Sequence, residues 1–136
     1  MANPMLPKIA GPHVLICDDD SVFAAEFSEA LAARGFSPTA FLGLSALRTQ
    51  LLTPTILILD ICMPEPDGIE ILNLLARHER RGDFSIVLVS GWDARILNMA
   101  AALCRLQGLR LLGTFQKPVA INDLCALLEA DSAQWD

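Results

Sequence analysis

Short apolar runs alternate with amphipathic stretches along the whole chain, and this alternation is the feature that most restricts its fold. The apolar runs predict five strands, over residues 14–17, 39–41, 56–59, 86–89 and 110–115. The amphipathic stretches predict helices over residues 21–34, 44–52, 69–81, 94–107 and 121–129. Most of the strands are apolar almost without alternation, as expected for strands covered on both faces. The pattern therefore predicts an α/β fold built on a parallel sheet.

Right-handed crossovers leave few strand orders for such a sheet, and the usual one for five strands is 2-1-3-4-5. We therefore expect a single doubly wound, flavodoxin-like sheet with helices on both faces. The chain of 136 residues, of which 53% are hydrophobic, has enough apolar material for one core and too little length for a second domain. We predict a flexible arm over residues 1–12, one domain over residues 13–130 and a short tail over residues 131–136.

Charge and composition exclude several classes of function. Acidic residues outnumber basic ones by 16 to 10 and the formal net charge is -6, which argues against direct binding to nucleic acid. No run reaches the roughly 18 to 20 apolar residues of a membrane helix, and the first twelve residues do not resemble a signal peptide. We expect a cytoplasmic protein with no zinc site, in which the buried, reduced thiols are Cys17, Cys104 and Cys125.

Carboxylates follow two of the predicted strands directly. Asp18 and Asp19 come after the first strand, and Asp60 comes after the third. The predicted order places these strands side by side at the point where the order reverses, and ligands of such folds bind in the crevice there. Ser90 and Lys117 follow the fourth and fifth strands. All five side chains are therefore expected at one edge of the sheet.

This set of side chains suits the transfer of a phosphoryl group to a carboxylate. Crowded carboxylates raise one another's pKa unless a cation balances them, and their hard oxygen ligands suit Mg²⁺. A phosphoryl acceptor of this kind needs a nucleophilic carboxylate, a metal, a fixed cation and a hydroxyl donor. These roles are matched by Asp60, by Asp19 as a metal ligand, by Lys117 and by Ser90.

The chain resembles the receiver domains of two-component response regulators, from about residue 13 to residue 129. The resemblance lies in Asp18-Asp19, the stretch Leu59-Asp60-Ile61-Cys62-Met63-Pro64-Glu65-Pro66-Asp67-Gly68, Ser90 and Lys117-Pro118. Each motif alone is weak, but four of them in order at the expected strand ends are highly specific. The resemblance implies a bacterial signalling domain and not an enzyme in the usual sense.

The resemblance also implies a role for each matching residue. Asp60 would be phosphorylated by a sensor histidine kinase, a phosphotransfer protein or a small phosphodonor. Mg²⁺ would be held by Asp19, Asp60 and the Cys62 backbone carbonyl, with Asp18 acting through water. Ser90 and Lys117 would contact the phosphoryl group. Phosphorylation would then switch an interaction with an output domain, a partner or a second copy of the chain.

Two positions that receivers use for switching differ from the usual pattern. Receivers usually carry an aromatic residue three positions before the lysine, whereas that position is Thr114 here and the aromatic residue is Phe115. A shift of one residue in a strand turns a side chain to the opposite face, so Phe115 is not expected to replace the usual switch unless a bulge intervenes. The resemblance also implies that Cys62 and Trp92 tune the lifetime of the phosphorylated form.

The segment from Ser90 to Lys117 is a few residues longer than is typical of receivers. It is similar to the corresponding segment of receivers attached to EAL-type cyclic-di-GMP phosphodiesterases, so an output domain of that type is one expectation. The surface formed by the helix over residues 94–107, the fifth strand and the last helix is expected to change on phosphorylation.

Two other functions are compatible with the sequence. Residues 18–22 also satisfy the Asp-x-Asp-x-Val signature of haloacid-dehalogenase-like phosphatases, in which Asp18 would be the nucleophile and Asp20 the acid/base. The short chain leaves no room for the cap domain of those enzymes. The other alternative is a binding module that acts independently of phosphorylation.

Overall fold

The structure is a computed structural model that describes residues 12–41, 55–62, 68–79, 81–91 and 94–132. Several predicted features lie outside these residues, namely most of the arm, the helix over residues 44–52, Trp92 and residues 133–136. Within the described ranges, every helix is too short or too polar to cross a lipid bilayer.

The described strands form one parallel sheet. They are β1 (His13–Cys17), β2 (Ser37–Phe41), β3 (Thr55–Asp60), β4 (Phe84–Ser90) and β5 (Arg110–Gln116). Their order is β2-β1-β3-β4-β5, and each neighbouring pair is parallel. β3 and β4 are buried along their whole length, which explains why their sequences are apolar with almost no alternation. The predicted fold class and strand order are confirmed.

Helices cover both faces of the sheet, as predicted. Those in the described residues are α1 (Ser21–Ala33), α2 (Gly68–Ala76), α3 (Ala94–Leu106) and α4 (Ile121–Ser132). Side chains of α2 and α3, such as Leu75 and Leu97, pack with Leu57 of β3 in one hydrophobic cluster, here called the α2–α3 cluster. Side chains of α1 and α4 pack with Ile56 of the same strand in a second cluster, the α1–α4 cluster. Successive residues of β3 therefore face opposite layers.

The helix predicted over residues 69–81 is shorter than expected, because α2 ends at Ala76. The five residues that follow Ala76 are all polar or charged, so there is no apolar face for the core to bury. A short 3-10 helix, Arg81–Asp83, then leads into β4. The prediction of a helix beyond Ala76 was wrong, because a short helical segment is only marginally stable unless it buries an apolar face.

The last helix is longer than expected, because α4 continues to Ser132, beyond the predicted domain boundary at residue 130. Asp131 is buried, and its carboxylate forms an ion pair with Arg110 at the beginning of β5. Arg110 also donates a hydrogen bond to the Ser85 hydroxyl of β4. The end of α4 is thus attached to two strands and is part of the folded domain.

Candidate functional site

The carboxylates of two neighbouring strands meet at the edge where the strands end. β1 and β3 pair in register from His13 with Thr55 to Cys17 with Leu59, so Asp18 and Asp60 both follow directly in space. β2 lies on the other side of β1, and β4 lies on the other side of β3. The chain order therefore reverses between β1 and β3, and this is where a ligand crevice is expected in such a sheet.

Asp18 is a buried carboxylate, with only 1% of its side chain exposed. Its Oδ1 accepts a hydrogen bond of 2.8 Å from the Asp20 backbone N–H. Its Oδ2 lies 2.9 Å from Lys117 Nζ but accepts no well-oriented hydrogen bond from the described residues. Burial raises the pKa of Asp18 to about 6, because the Asp20 N–H and Lys117 offset only part of the desolvation and the Asp60 charge adds to it.

Lys117 lies between the two buried carboxylates. Its Nζ is 2.9 Å from Asp18 Oδ2 and 3.4 Å from Asp60 Oδ2. Burial alone would lower the pKa of Lys117, but its close contacts with both carboxylates and their negative charges outweigh this effect and raise it. The ammonium group also lies 4.6 Å from the centre of the Phe23 ring, which is within the range of a cation–π interaction. Lys117 is therefore held as a cation at a fixed place.

Asp19 completes a group of three carboxylates, although it is exposed. One oxygen from each of Asp18, Asp19 and Asp60 lies within 4.8 Å of the others. Three hard oxygen donors this close together, one of them buried without a well-oriented donor, fit a small divalent cation such as Mg²⁺. Asp20 has a different task, because its Oδ1 accepts the backbone N–H groups of Val22 and Phe23 and caps α1.

Cys62 contacts both the Asp60 carboxylate and the Ser90 hydroxyl. The Cys62 backbone N–H donates a hydrogen bond of 2.9 Å to Asp60 Oδ1, and the Cys62 Sγ is 3.2 Å from the Ser90 Oγ. Ser90 is fully buried, and its carbonyl accepts a hydrogen bond of 2.8 Å from the Lys117 backbone N–H. One network thus connects the ends of β3, β4 and β5.

The arrangement of these side chains agrees with the protein family that the chain matches. Residues 14–129 match the profile of the response regulator receiver domain. The chain belongs to this family. A receiver domain is a signalling domain of two-component systems and not an enzyme in the usual sense.

Similar proteins carry related names. A response regulator from Colwellia psychrerythraea has 32% sequence identity and a TM-score of 0.77, over 90% of this chain and 98% of that one. A sensor protein from Polaromonas sp. JS666 has 24% identity and a TM-score of 0.71, over 92% and 98% of the two chains. The transcriptional regulatory protein PrrA of Mycobacterium leprae is 39% identical over 69 residues, which are 49% of this receiver and 30% of PrrA. The match thus spans less than a third of that curated relative.

The two predicted switch positions of the receiver point to opposite faces of β5. Thr114 pairs with Leu88 of the α2–α3 cluster, and Phe115 pairs with Val89 of the α1–α4 cluster. A bulge does occur in β5, at Leu112, because the pairing passes from Ile86 with Leu111 to Val87 with Gly113. This bulge precedes both positions. Phe115 therefore remains on the face opposite Ser90, which pairs with Gln116.

Some features of the site have no distinct signal in the sequence. The helical pattern places Phe23 on the apolar face of α1, and it is indeed packed against the α1–α4 cluster, but its contact with Lys117 joins residues 94 positions apart. Gly68 approaches the end of β3 so closely that a Cβ there would lie 2.4 Å from the Ile61 Cα. A glycine two residues after a proline looks like an ordinary turn in the sequence alone.

Proposed function

We propose that the receiver accepts a phosphoryl group on Asp60 in a reaction that requires Mg²⁺. The observation that carries this proposal is the position of Lys117 Nζ between the buried carboxylates of Asp18 and Asp60, with Asp19 beside them. In the proposed step, a carboxylate oxygen of Asp60 forms a bond to phosphorus. The bond from phosphorus to the donor breaks, and the leaving group departs with its electron pair.

Each nearby side chain has a role in this proposal. Lys117 balances charge on the phosphoryl oxygens, and its contacts with two carboxylates and the Phe23 ring keep it in place. The Ser90 hydroxyl donates a hydrogen bond to another phosphoryl oxygen. The Cys62 N–H holds Asp60 Oδ1, which fixes the direction of the nucleophile.

The metal would be held by Asp19, Asp60 and the Cys62 carbonyl, with Asp18 contributing through water. Mg²⁺ bound there would balance the crowded carboxylates and gather the oxygens of the incoming phosphoryl group. Without the metal, the three carboxylates carry more negative charge than Lys117 alone can balance. This excess supports a divalent cation at the site.

The donor in this proposal is a sensor histidine kinase or a phosphotransfer protein, since the family is that of two-component receivers. A cytoplasmic location belongs to the proposal and is supported by four free cysteines, three of them buried. The proposed tuning of the phosphoryl lifetime by Cys62 and Trp92 stays a prediction, as does an EAL-type output domain. We also propose that the phosphorylated form loses its phosphoryl group by hydrolysis at the same site.

A phosphatase of the haloacid-dehalogenase type is a weaker account of the same residues. Its acid/base would be Asp20, whose Oδ1 is engaged by two backbone N–H groups at the beginning of α1. Its nucleophile would be Asp18, one oxygen of which is paired with Lys117 and the other with a backbone N–H. The family match also favours the receiver over this enzyme and over a binding module that acts independently of phosphorylation.

Incubation with acetyl phosphate tests the proposed function. We expect one phosphoryl group per chain in the presence of Mg²⁺, seen as a single mass increase of the intact protein. Chelation by EDTA should reduce incorporation by at least about tenfold, because the carboxylates then repel the donor. Incorporation of equal extent with and without Mg²⁺, or none at all, would contradict the proposal.

The signalling output is proposed to involve the surface of α3, β5 and α4. Met99 and Leu106 are 62% and 86% exposed and lie seven residues apart on one side of α3, so they give this surface an apolar face that a partner can cover. Binding of beryllofluoride with Mg²⁺, which imitates the phosphoryl group, is expected to change amide hydrogen exchange within residues 94–129. The Asp60→Asn variant serves as the control. Identical exchange of this surface with and without beryllofluoride would rule the surface out as the output.

A further inference from the structure

We propose that Cys62 is a positioning residue that orients the Ser90 hydroxyl toward the phosphoryl group through a hydrogen bond from its thiol. This inference rests on the proposed function of Asp60 and extends it to a side chain that does not touch the phosphoryl group in this scheme. Cys62 contacts both Asp60 and Ser90. Its backbone N–H donates a hydrogen bond of 2.9 Å to Asp60 Oδ1, and its Sγ is 3.2 Å from Ser90 Oγ.

The number of hydrogens available fixes the direction of the hydrogen bond between the Cys62 and Ser90 side chains. Either the thiol or the hydroxyl could donate in the contact between Cys62 and Ser90. The serine hydroxyl has a single hydrogen, however, and it cannot be given to a phosphoryl oxygen and to Sγ at the same time. When the hydroxyl serves the phosphoryl group, the thiol must therefore be the donor, in a chain from S–H to Oγ–H to the phosphoryl oxygen.

The surroundings make this contact effective. Ser90 is fully buried and Cys62 is half-buried, so water competes little for the hydroxyl. The backbone of Ser90 is fixed by the hydrogen bond that its carbonyl accepts from Lys117. On the neighbouring strand β5, Thr114 and Gln116 share the face of Ser90 and are exposed, while Phe115 packs on the other face. The Cys62 thiol thus contacts the hydroxyl directly, at 3.2 Å.

The functional test is a double-mutant cycle with beryllofluoride and Mg²⁺ as the probe. Cys62→Ala removes the thiol donor and is expected to weaken beryllofluoride binding about three- to tenfold, the usual effect of one lost hydrogen bond. Cys62→Ser keeps a donor and should restore most of the affinity. In a Ser90→Ala background, the Cys62→Ala effect should disappear, because there is no hydroxyl left to orient.

A role of Cys62 in packing or in water access gives a different result in this cycle. Either role would weaken binding or change the phosphoryl lifetime by the same factor with and without Ser90. An equal effect of Cys62→Ala in both backgrounds, or failure of Cys62→Ser to restore binding, would overturn the proposal.

An infrared measurement on the complex with beryllofluoride and Mg²⁺ tests the hydrogen bond itself, in the state where the Ser90 hydroxyl serves the phosphoryl mimic. The S–H stretching band of Cys62 is isolated by subtracting the spectrum of Cys62→Ala, in which Cys17, Cys104 and Cys125 contribute equally and cancel. Replacement of Ser90 by alanine removes the acceptor and is expected to move this band to higher frequency. An unchanged band would mean that the thiol does not donate to Ser90.

The two measurements also separate this inference from the proposed function. If Asp60 did not accept phosphate, both labelling and beryllofluoride binding would fail in the wild type. If only the present inference were wrong, labelling of Asp60 would proceed and the band would stay where it is.

Discussion

Replacement of Asp60 by asparagine is expected to reduce phosphoryl incorporation by about 100-fold or more. Asparagine keeps the shape of the side chain but offers a neutral amide oxygen, which is a poor nucleophile and forms no stable acyl phosphate. The fold should persist, because the change removes one negative charge from a site where Asp18 and Asp60 repel each other. The measurement is the intact mass of the protein after incubation with acetyl phosphate and Mg²⁺.

Two control variants give this result its meaning. Asp123→Asn removes an exposed carboxylate at the beginning of α4 and should leave labelling unchanged, since Asp123 is not one of the three clustered carboxylates. Asp18→Asn should slow labelling but not prevent it, because the proposed role of Asp18 is to support the metal and not to accept the phosphoryl group. The phosphatase alternative predicts the reverse order, with labelling lost in Asp18→Asn and kept in Asp60→Asn.

Replacement of Gly68 by alanine is expected to lower the free energy of unfolding by about 1–3 kcal/mol. The new Cβ would lie 2.4 Å from the Ile61 Cα and 2.8 Å from the Asp60 carbonyl oxygen, both of which are backbone atoms that cannot rotate away. Alanine in a helix usually stabilises by up to about 1 kcal/mol relative to glycine, so the steric clash must exceed this gain. Urea denaturation followed by circular dichroism measures the difference.

Gly82→Ala is a matched control for this prediction. Nothing lies within 4 Å of the Cβ that alanine would add at Gly82, so its stability should stay within about 0.5 kcal/mol of the wild type. Folded Gly68→Ala protein should also accept phosphate more slowly, because the displaced backbone carries Asp60. Equal stability of the two glycine variants would mean that α2 does not pack against the end of β3 as described.

The sheet and the position of the site were predictable because they depend on patterns that are local in sequence. Uninterrupted apolar runs mark strands that are covered on both faces, and such strands have few possible orders. Once the order is known, residues that follow the strands must share an edge. Asp18 and Asp60 could therefore be placed together although 42 positions separate them in the sequence.

The alternation of side chains along β5 could be predicted only in part from the local sequence. The sequence predicts that Thr114 and Phe115 face opposite sides, and this holds because the bulge at Leu112 lies before both of them. A bulge between Thr114 and Phe115 would instead have placed both side chains on the same face of the sheet. Its location depends on how β4 and β5 pair, which the sequence of β5 alone does not determine.

Other features depend on contacts between distant parts of the chain. The attachment of Asp131 to Arg110 extends α4 beyond its apolar pattern, and the contact of Cys62 with Ser90 depends on the turn after β3. The end of α2 at Ala76 reflects the loss of a packing surface and not a breaking residue. Side-chain contacts of this kind follow from the three-dimensional structure and have no period or spacing in the sequence.

Chemical trapping of the phosphorylated residue identifies the position in the chain that accepts the phosphoryl group. The protein is treated with acetyl phosphate and Mg²⁺, reduced with borohydride and digested for mass spectrometry. Borohydride reduces an aspartyl phosphate to homoserine, so the modified position can be identified. We expect homoserine at position 60, dependent on acetyl phosphate and on Mg²⁺. Homoserine at position 18 in place of position 60, or none in a sample that carries a phosphoryl group, would contradict this expectation.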